Sequence, residues 1–338
     1  MIYTPDEIKS FIAKSLGSSN VELLPLKATG NMTARIEDGG SDTLLTAAVY
    51  GKEYVVKIKS KAFDDNVCGA MNYLDSEDFK GYFQKGKAIF YIRDSYNREQ
   101  RAYELLSDFS DYFPKIYGAS SDGTRSIILM DKLTIDRTPK DRELAEIIYK
   151  IHSTFNSEAT MREWSINIHT ATDYISATAL SNALLDGVEL KYPTFPKKIL
   201  GRAREFVSHY QENHEKMLSF GRCLCHGDLT INNLSTARGV KLYDLELATF
   251  NNPEFDLISY LVHYPTALDS EVVEEFLSAY YAQSATTIKE KEDVLKHNLL
   301  IYFTTRFHAM MMITLRLNMP YMETSIKNYI FLFNYFAL

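Results

Sequence analysis

Between Cys223 and Leu234 the chain reads Cys-Leu-Cys-His-Gly-Asp-Leu-Thr-Ile-Asn-Asn-Leu. Asp228 and Asn233 enclose four residues, and apolar side chains lead into and out of the segment. An aspartate in such a loop can accept the proton of a hydroxyl group within hydrogen-bond reach. An amide oxygen a few residues later can turn back toward magnesium, which prefers hard oxygen ligands in near-octahedral geometry. The next informative stretch is Val240-Lys241-Leu242-Tyr243-Asp244-Leu245-Glu246-Leu247-Ala248. Read as an extended strand, it puts Leu242, Asp244 and Glu246 on one face. Two carboxylates just downstream of an Asp-x-x-x-x-Asn loop suit metal and phosphate chemistry, and that spacing is the one used for phosphoryl transfer. Glu246 is left open between a second metal and a hydrogen-bond network.

His226-Gly227-Asp228 with Asn233, then Asp244-x-Glu246-x-Ala248, then Pro253-x-Phe255-Asp256-Leu257, together resemble the aminoglycoside phosphotransferase and choline kinase family. The resemblance implies a protein-kinase-like fold, ATP and Mg2+ as cofactors, and a small-molecule hydroxyl as acceptor. It also implies roles. Asp228 matches the catalytic base, and Asn233 and Asp244 match the magnesium ligands. His226 matches a residue that shapes the loop, and Asp256 one that braces it. The chain has no His-Arg-Asp, Asp-Phe-Gly or Ala-Pro-Glu set, which argues against a protein kinase.

A kinase also needs a small-lobe lysine paired with a helix glutamate to hold the α- and β-phosphates. In Tyr54-Val55-Val56-Lys57-Ile58, Lys57 shares a strand face with Val55, opposite Tyr54, Val56 and Ile58. A lysine in an apolar strand needs a partner. A solvent-facing edge lysine is the alternative, and Lys59 is the rival one strand step away. Glu99 lies on the same helix face as Ala102 and Leu106 and is the candidate partner; Glu104 is turned toward solvent. Asp38-Gly39-Gly40-Ser41-Asp42-Thr43 looks like the family's reduced nucleotide loop, where the Gly39, Gly40 and Ser41 backbone would approach phosphates. An ordinary tight turn is the alternative. Ile127-Ile128-Leu129-Met130-Asp131-Lys132-Leu133 resembles the strand that leads to the hinge, with adenine on backbone groups near Asp131 and Leu133. His152, at a helix end, reads as structural.

These residues need elements to position them. Thr4-Pro5-Asp6-Glu7 starts a helix that carries Ile8, Phe11, Ile12 and Leu16. Residues 44–50 and 54–58 flank Gly51-Lys52-Glu53 and read as a hairpin. A helix is expected from Ser95 to Phe109, and a buried strand over Ser126–Met130. Residues 60–94 fit neither period and read as an extra small-lobe element. From Asp141 helical periodicity dominates, with Leu144, Ile147, Ile148 and Ile151 on one stripe, and it breaks only around 222–250. The reading is an α+β bilobal fold. A β-rich nucleotide-binding lobe covers 1–133 and ends in the hinge; a helical lobe with the catalytic loop and substrate site covers 134–338.

Composition narrows the function. A chain of 338 residues with net charge −7 lacks the basic surface of a non-specific nucleic-acid binder. Three cysteines do not make a disulfide framework, and Cys223-x-Cys225 is neither a zinc nor a redox spacing. The N-terminus has no signal-peptide pattern. Leu299–Leu317 is interrupted by Arg306, His308 and Arg316, so it reads as a buried helix rather than a membrane span. The expected location is cytoplasmic, with no nucleic-acid or membrane partner. The expected acceptor is amine-bearing, such as an aminoglycoside or other antibiotic. Choline, ethanolamine or a sugar is the alternative, and a quaternary amine would want an aromatic cage, for which Tyr260, Tyr264, Tyr302, Phe303, Phe307 and Tyr321 are candidates. A catalytically inactive pseudokinase is the reading from another class.

Overall fold

The computed structural model describes residues 3–25, 44–60, 95–159, 178–316 and 322–338. The extra element read at 60–94 lies outside them from residue 61 onward, as do Cys68 and Tyr321. The chain forms two units: Met1–Met71, Tyr91–Asp136 and Leu234–Leu247 make the first, and Asn72–Phe90, Arg137–Asn233 and Ala248–Leu338 the second.

The first unit is built on an antiparallel sheet. Its strands are β1 (Glu22–Pro25), β2 (Leu44–Val49), β3 (Lys52–Ser60), β4 (Ile116–Ser121) and β5 (Arg125–Asp131), in the order β1-β2-β3-β5-β4. The β2–β3 turn is Tyr50–Gly51, so β3 begins at Lys52, inside the turn read from the sequence. Helix α1 (Pro5–Leu16) opens with a reciprocal cap: Glu7 N–H donates to Thr4 Oγ1, and Thr4 N–H donates to Glu7 Oε2. The Ile8 and Ile12 side chains of α1 are buried with Tyr54, Val56, Ile58, Ile127 and Leu129. That core requires close approach at Gly118, where a Cβ would sit 2.3 Å from Ser15 Oγ. Alternation along β3 then sends Lys57 and Lys59 to the opposite face, toward helix α2 (Ser95–Leu105). The α-helix stops at Leu105, and the expected last turn is a 3-10 turn, Ser107–Phe109.

Leu234–Ser235 and Lys241–Leu242 form a two-stranded ribbon in this unit. Leu242 N–H donates to Tyr112 C=O, Lys241 Nζ to Phe113 C=O, and Thr236 N–H to Asp136 C=O. These bonds fix the point from which Asp244 leaves the ribbon.

The second unit is helical: α3 (Asp141–Thr154), α4 (Thr178–Lys191), α5 (Lys197–Ser208), α6 (Tyr210–Ser219), α7 (Pro253–Val262), α8 (Ser270–Ala282), α9 (Glu292–Tyr302), α10 (His308–Arg316) and α11 (Met322–Tyr335). The α3 stripe of Leu144, Ile147, Ile148 and Ile151 is buried, as its spacing requires. Strands β6 (Cys223–Cys225) and β7 (Thr249–Asn251) pair antiparallel and interrupt the helices where periodicity breaks. The segment read as one buried helix is helical but not continuous: Phe303–Phe307 is a π-helical turn between α9 and α10. Phe303 stacks on Phe195 and Tyr329, and Phe307 on Tyr329. Among the described residues no helix is long and apolar enough to cross a membrane.

Among the buried imidazoles of this unit, His263 and His308 have the most depressed pKa values and carry a pH dependence. Burial pushes the His308 pKa down to about 3; burial and then the Arg306 guanidinium do the same for His263. In the unfolded chain a histidine protonates near 6.5. Between those values the unfolded state binds more protons, so stability falls as pH falls, by up to about 1.4 kcal/mol per pH unit for each group. Thermal melts from pH 7.5 to 4.5 are expected to show Tm dropping below about pH 6.5, with a shallower drop for His308→Phe. Parallel curves for the two proteins would contradict this account.

Candidate active site

Lys57 is a largely buried cation of the sheet unit, its side chain 13% exposed. Its Nζ lies 2.7 Å from Glu99 Oε2 and 2.5 Å from Asp244 Oδ1. Burial opposes its charge, but Asp244 and then Glu99 outweigh that effect and its pKa is raised. Lys59, the rival read from the sequence, ion-pairs with Glu246, whose backbone C=O accepts from Arg98 Nη1 at 3.1 Å. Glu104 is exposed, as expected.

The strand reading of Asp244 and Glu246 does not hold. Extended structure ends at Leu242, Asp244 takes a left-handed φ of 65°, and Leu245–Leu247 is a 3-10 turn. Aspartate is among the few residues that adopt this conformation readily. The turn sends Asp244 to Lys57 and Glu246 to Lys59, so Glu246 belongs to an ion-pair network.

At the end of β5, Asp131 N–H donates to Lys115 C=O. The Asp131 carboxylate accepts from Tyr117 Oη at 2.8 Å and lies 3.3 Å from Lys52 Nζ. The Leu133 backbone makes no hydrogen bond among the described residues. Gly39, Gly40 and Ser41 lie outside the described residues.

In the helical unit, β6 delivers the chain to His226-Gly227-Asp228. Gly227 takes φ 76°, which a side chain would strain. The loop's amides would be orphaned without an acceptor, and Asp256 supplies it. His226 N–H donates to Asp256 Oδ2 at 2.7 Å and Gly227 N–H to Oδ1 at 3.0 Å. Asp228 N–H donates to His226 Nδ1 at 3.3 Å, so that imidazole shapes the loop. Asn233, in the 3-10 turn Ile231–Asn233, donates its Nδ2 to Asp228 C=O at 2.8 Å and to Asp228 Oδ2 at 3.1 Å. Asn233 Oδ1 accepts no hydrogen bond among the described residues.

His152, from α3, stands behind Asp256: its Nε2 is 3.3 Å from Asp256 Oδ2 and its Nδ1 2.9 Å from Tyr280 Oη. Burial opposes charge on this imidazole, but hydrogen bonds to Asp256 and Cys225 prevail and its pKa is pushed up to about 9. His152, Cys223 and Cys225 place donor atoms within 4.8 Å of one another. Both ring nitrogens of His152 are engaged, and burial raises both thiols, so the three read as packed core.

Arg306, in the π-helical turn, ion-pairs with Asp228 and donates to Gly227 C=O. In the sequence Arg306 stands out only as an interruption of an apolar segment. The available signal was that a cation in a buried helix requires an anion. The described candidates do not assemble an aromatic cage: Tyr260, Tyr302, Phe303 and Phe307 are buried core, and Tyr264 hydrogen-bonds Asp141.

Residues 51–288 match the family model described as the phosphotransferase enzyme family. The chain belongs to this family. It is therefore an enzyme, a phosphotransferase with the fold of the small-molecule kinases. No curated protein sequence matches it. Its fold is similar to choline kinase LicA from Streptococcus pneumoniae, with a TM-score of 0.55 at 18% identity over 98% of this chain and 97% of that one. It is also similar to a choline/ethanolamine kinase family protein from Mesorhizobium loti, with a TM-score of 0.51 at 14% identity over 97% and 94%. The gentamicin complex of APH(2")-IIa gives 0.50 at 16% over 98% and 97%. At these identities the likeness concerns the fold, which is protein-kinase-like, with a β-rich unit and a helical unit.

Asp256 gives the phosphotransferase a second pH signature. The folded pKa of His152 exceeds its unfolded value, so its stabilisation is complete below about pH 6.5 and is lost as pH rises through about 9. Asp256→Ala is expected to cost about 3 kcal/mol at pH 6, typical of breaking a buried pair. It should also flatten the decline of Tm between pH 7 and 9.5 seen in the unmodified protein. A wild-type alkaline decline that persists in the variant would assign the loss to other groups.

Proposed function

We propose that the protein is an ATP-dependent kinase that phosphorylates a hydroxyl group of a small molecule, with Asp228 as the catalytic base. The observation that carries this reading is the loop itself. Its backbone is held by Asp256, and Asn233 ties both the backbone and the carboxylate of Asp228. A carboxylate fixed in this way can take a proton at a defined place. The acceptor oxygen forms a bond to the γ-phosphorus, the bond from that phosphorus to the β,γ-bridging oxygen breaks, ADP leaves, and the hydroxyl proton passes to Asp228.

Lys57 is proposed to hold the α- and β-phosphates, with Glu99 holding Lys57. Gly39, Gly40 and Ser41 are proposed for the phosphate loop. The Asp131 C=O and the open Leu133 backbone are proposed for adenine; the Asp131 N–H is already spent within the sheet. The donor chemistry of Asn233 and Asp244 fits magnesium, since both offer hard oxygens and Asn233 Oδ1 accepts no hydrogen bond among the described residues. A metal there would offset charge on phosphate oxygens. Lys57 now holds Asp244 and would share that carboxylate with the metal.

An amine-bearing acceptor stays within this proposal. It is supported by the net charge of −7 and by the choline and gentamicin named for the similar folds. The cytoplasm is the proposed location.

Asp228→Ala is expected to reduce turnover at least ~100-fold, the low end for general-base catalysis, while nucleotide binding is retained. The assay is ADP release with Mg-ATP and a panel of aminoglycosides, other amino antibiotics, choline, ethanolamine and sugars. Turnover close to normal in the variant would remove Asp228 from the role. Nucleotide binding without transfer to any acceptor would favour the pseudokinase reading.

A further inference from the structure

Arg306 has no part in the mechanism above, yet it touches the proposed base. It lies in the π-helical turn Phe303–Phe307, and such turns often mark functional positions. The two ends of the turn are fully buried and stacked against Phe195 and Tyr329, so the turn is held by packing. The Arg306 side chain is 12% exposed, ion-pairs with Asp228, and donates to the carbonyl of the preceding residue, Gly227. His263 and Tyr302, two of its described neighbours, bring no counter-charge. His263 is kept neutral by burial and by Arg306, and burial keeps Tyr302 protonated despite Arg306.

An unpaired aspartate would draw in a cation. At about 6 Å and an effective dielectric near 20, the attraction is worth roughly 100-fold in affinity. A guanidinium fixed on the same carboxylate cancels most of that attraction. We propose that Arg306 is a specificity-determining residue that removes the advantage Asp228 would otherwise give to acceptors with a cationic group within about 6 Å of the reacting hydroxyl. This rests on the kinase reading above and narrows it. Choline and ethanolamine carry their charge two carbons from the hydroxyl and gain nothing from it. Sugar hydroxyls with neutral neighbours compete on equal terms, as do larger molecules whose amines lie far from the reacting oxygen.

Matched acceptors test the proposal: choline against its neutral isostere 3,3-dimethyl-1-butanol, and D-glucosamine against D-glucose. For each pair kcat/KM is measured by ADP release with Mg-ATP, and the product is verified by phosphorus NMR. The unmodified enzyme is expected to show no preference for the cationic member. Arg306→Gln should move the ratio toward the cation at least ~10-fold, chiefly through KM. Arg306→Lys keeps the charge and should keep the ratio. Circular dichroism melts verify that the variants are folded. If Arg306→Gln does not fold, the wild-type ratio and Arg306→Lys still decide. A wild-type preference of tenfold or more for the cationic member overturns the proposal, and so does an unchanged ratio in folded Arg306→Gln. Absence of any phosphorylated product across the wider panel counts against the kinase reading itself, and the proposal falls with it.

Discussion

A lysine ammonium inside a sheet is tolerated only while carboxylates stay beside it. Lys57 imposes that condition on the whole sheet unit. Strand β3 must turn Tyr54, Val56 and Ile58 into the core under α1, because only then does Lys57 face α2. Helix α2 must present Glu99, which it does by burying Ala102, and Leu106 just past its end, on the same side. The ribbon at Leu234–Ser235 and Lys241–Leu242 must release the chain into a left-handed Asp244, because an extended strand would not deliver that carboxylate to Lys57. Removing any one acid would leave a buried cation undercompensated.

The helical unit solves the converse problem with an anion. The loop that starts at His226 has no ladder to satisfy its amides, and buried N–H groups without acceptors are costly. Asp256 accepts from His226 and Gly227 and is itself backed by His152, which leans on Tyr280. One side chain therefore connects α7, α3, α8 and the loop. Fixing the loop from behind leaves Asp228 and Asn233 free of structural duties other than holding one another and meeting Arg306.

Periodicity and spacing reached much of this. Lys57 and Glu99 followed from faces with periods of two and of three to four, and both faces are dictated by local geometry. Asp228 and Asn233 followed from loop spacing, and the bracing of the loop by Asp256 from the family resemblance. The strand face of Asp244 and Glu246 failed because a single left-handed residue resets the alternation, and aspartate does not announce that conformation as glycine would. The aromatic candidates failed for a related reason: helical spacing places them on one face but does not say whether that face lines a pocket or the core. Arg306 was out of reach. Its partner Asp228 lies 78 residues away, and a π-helical turn shifts its register from the helix that periodicity would draw.

The acceptor is hard to read for a physical reason that the charges make plain. Phosphate handling depends on a few ionic groups at fixed spacing, so it leaves a motif. Acceptor choice depends on the field around one hydroxyl, and that field is a sum over side chains that no local segment contains. Asp228 alone would mark the site as a cation trap, which is what a motif-level reading of an acidic protein suggests. Arg306 reverses the inference without altering the motif, because a neutralised carboxylate gives an ammonium no advantage over a neutral group of the same shape. Discrimination must then come from fit and hydrogen bonding around the acceptor, where a missing polar partner costs more than a missing methylene. An enzyme built this way selects by the pattern of hydroxyls it can satisfy, and charge beside the reacting oxygen decides little.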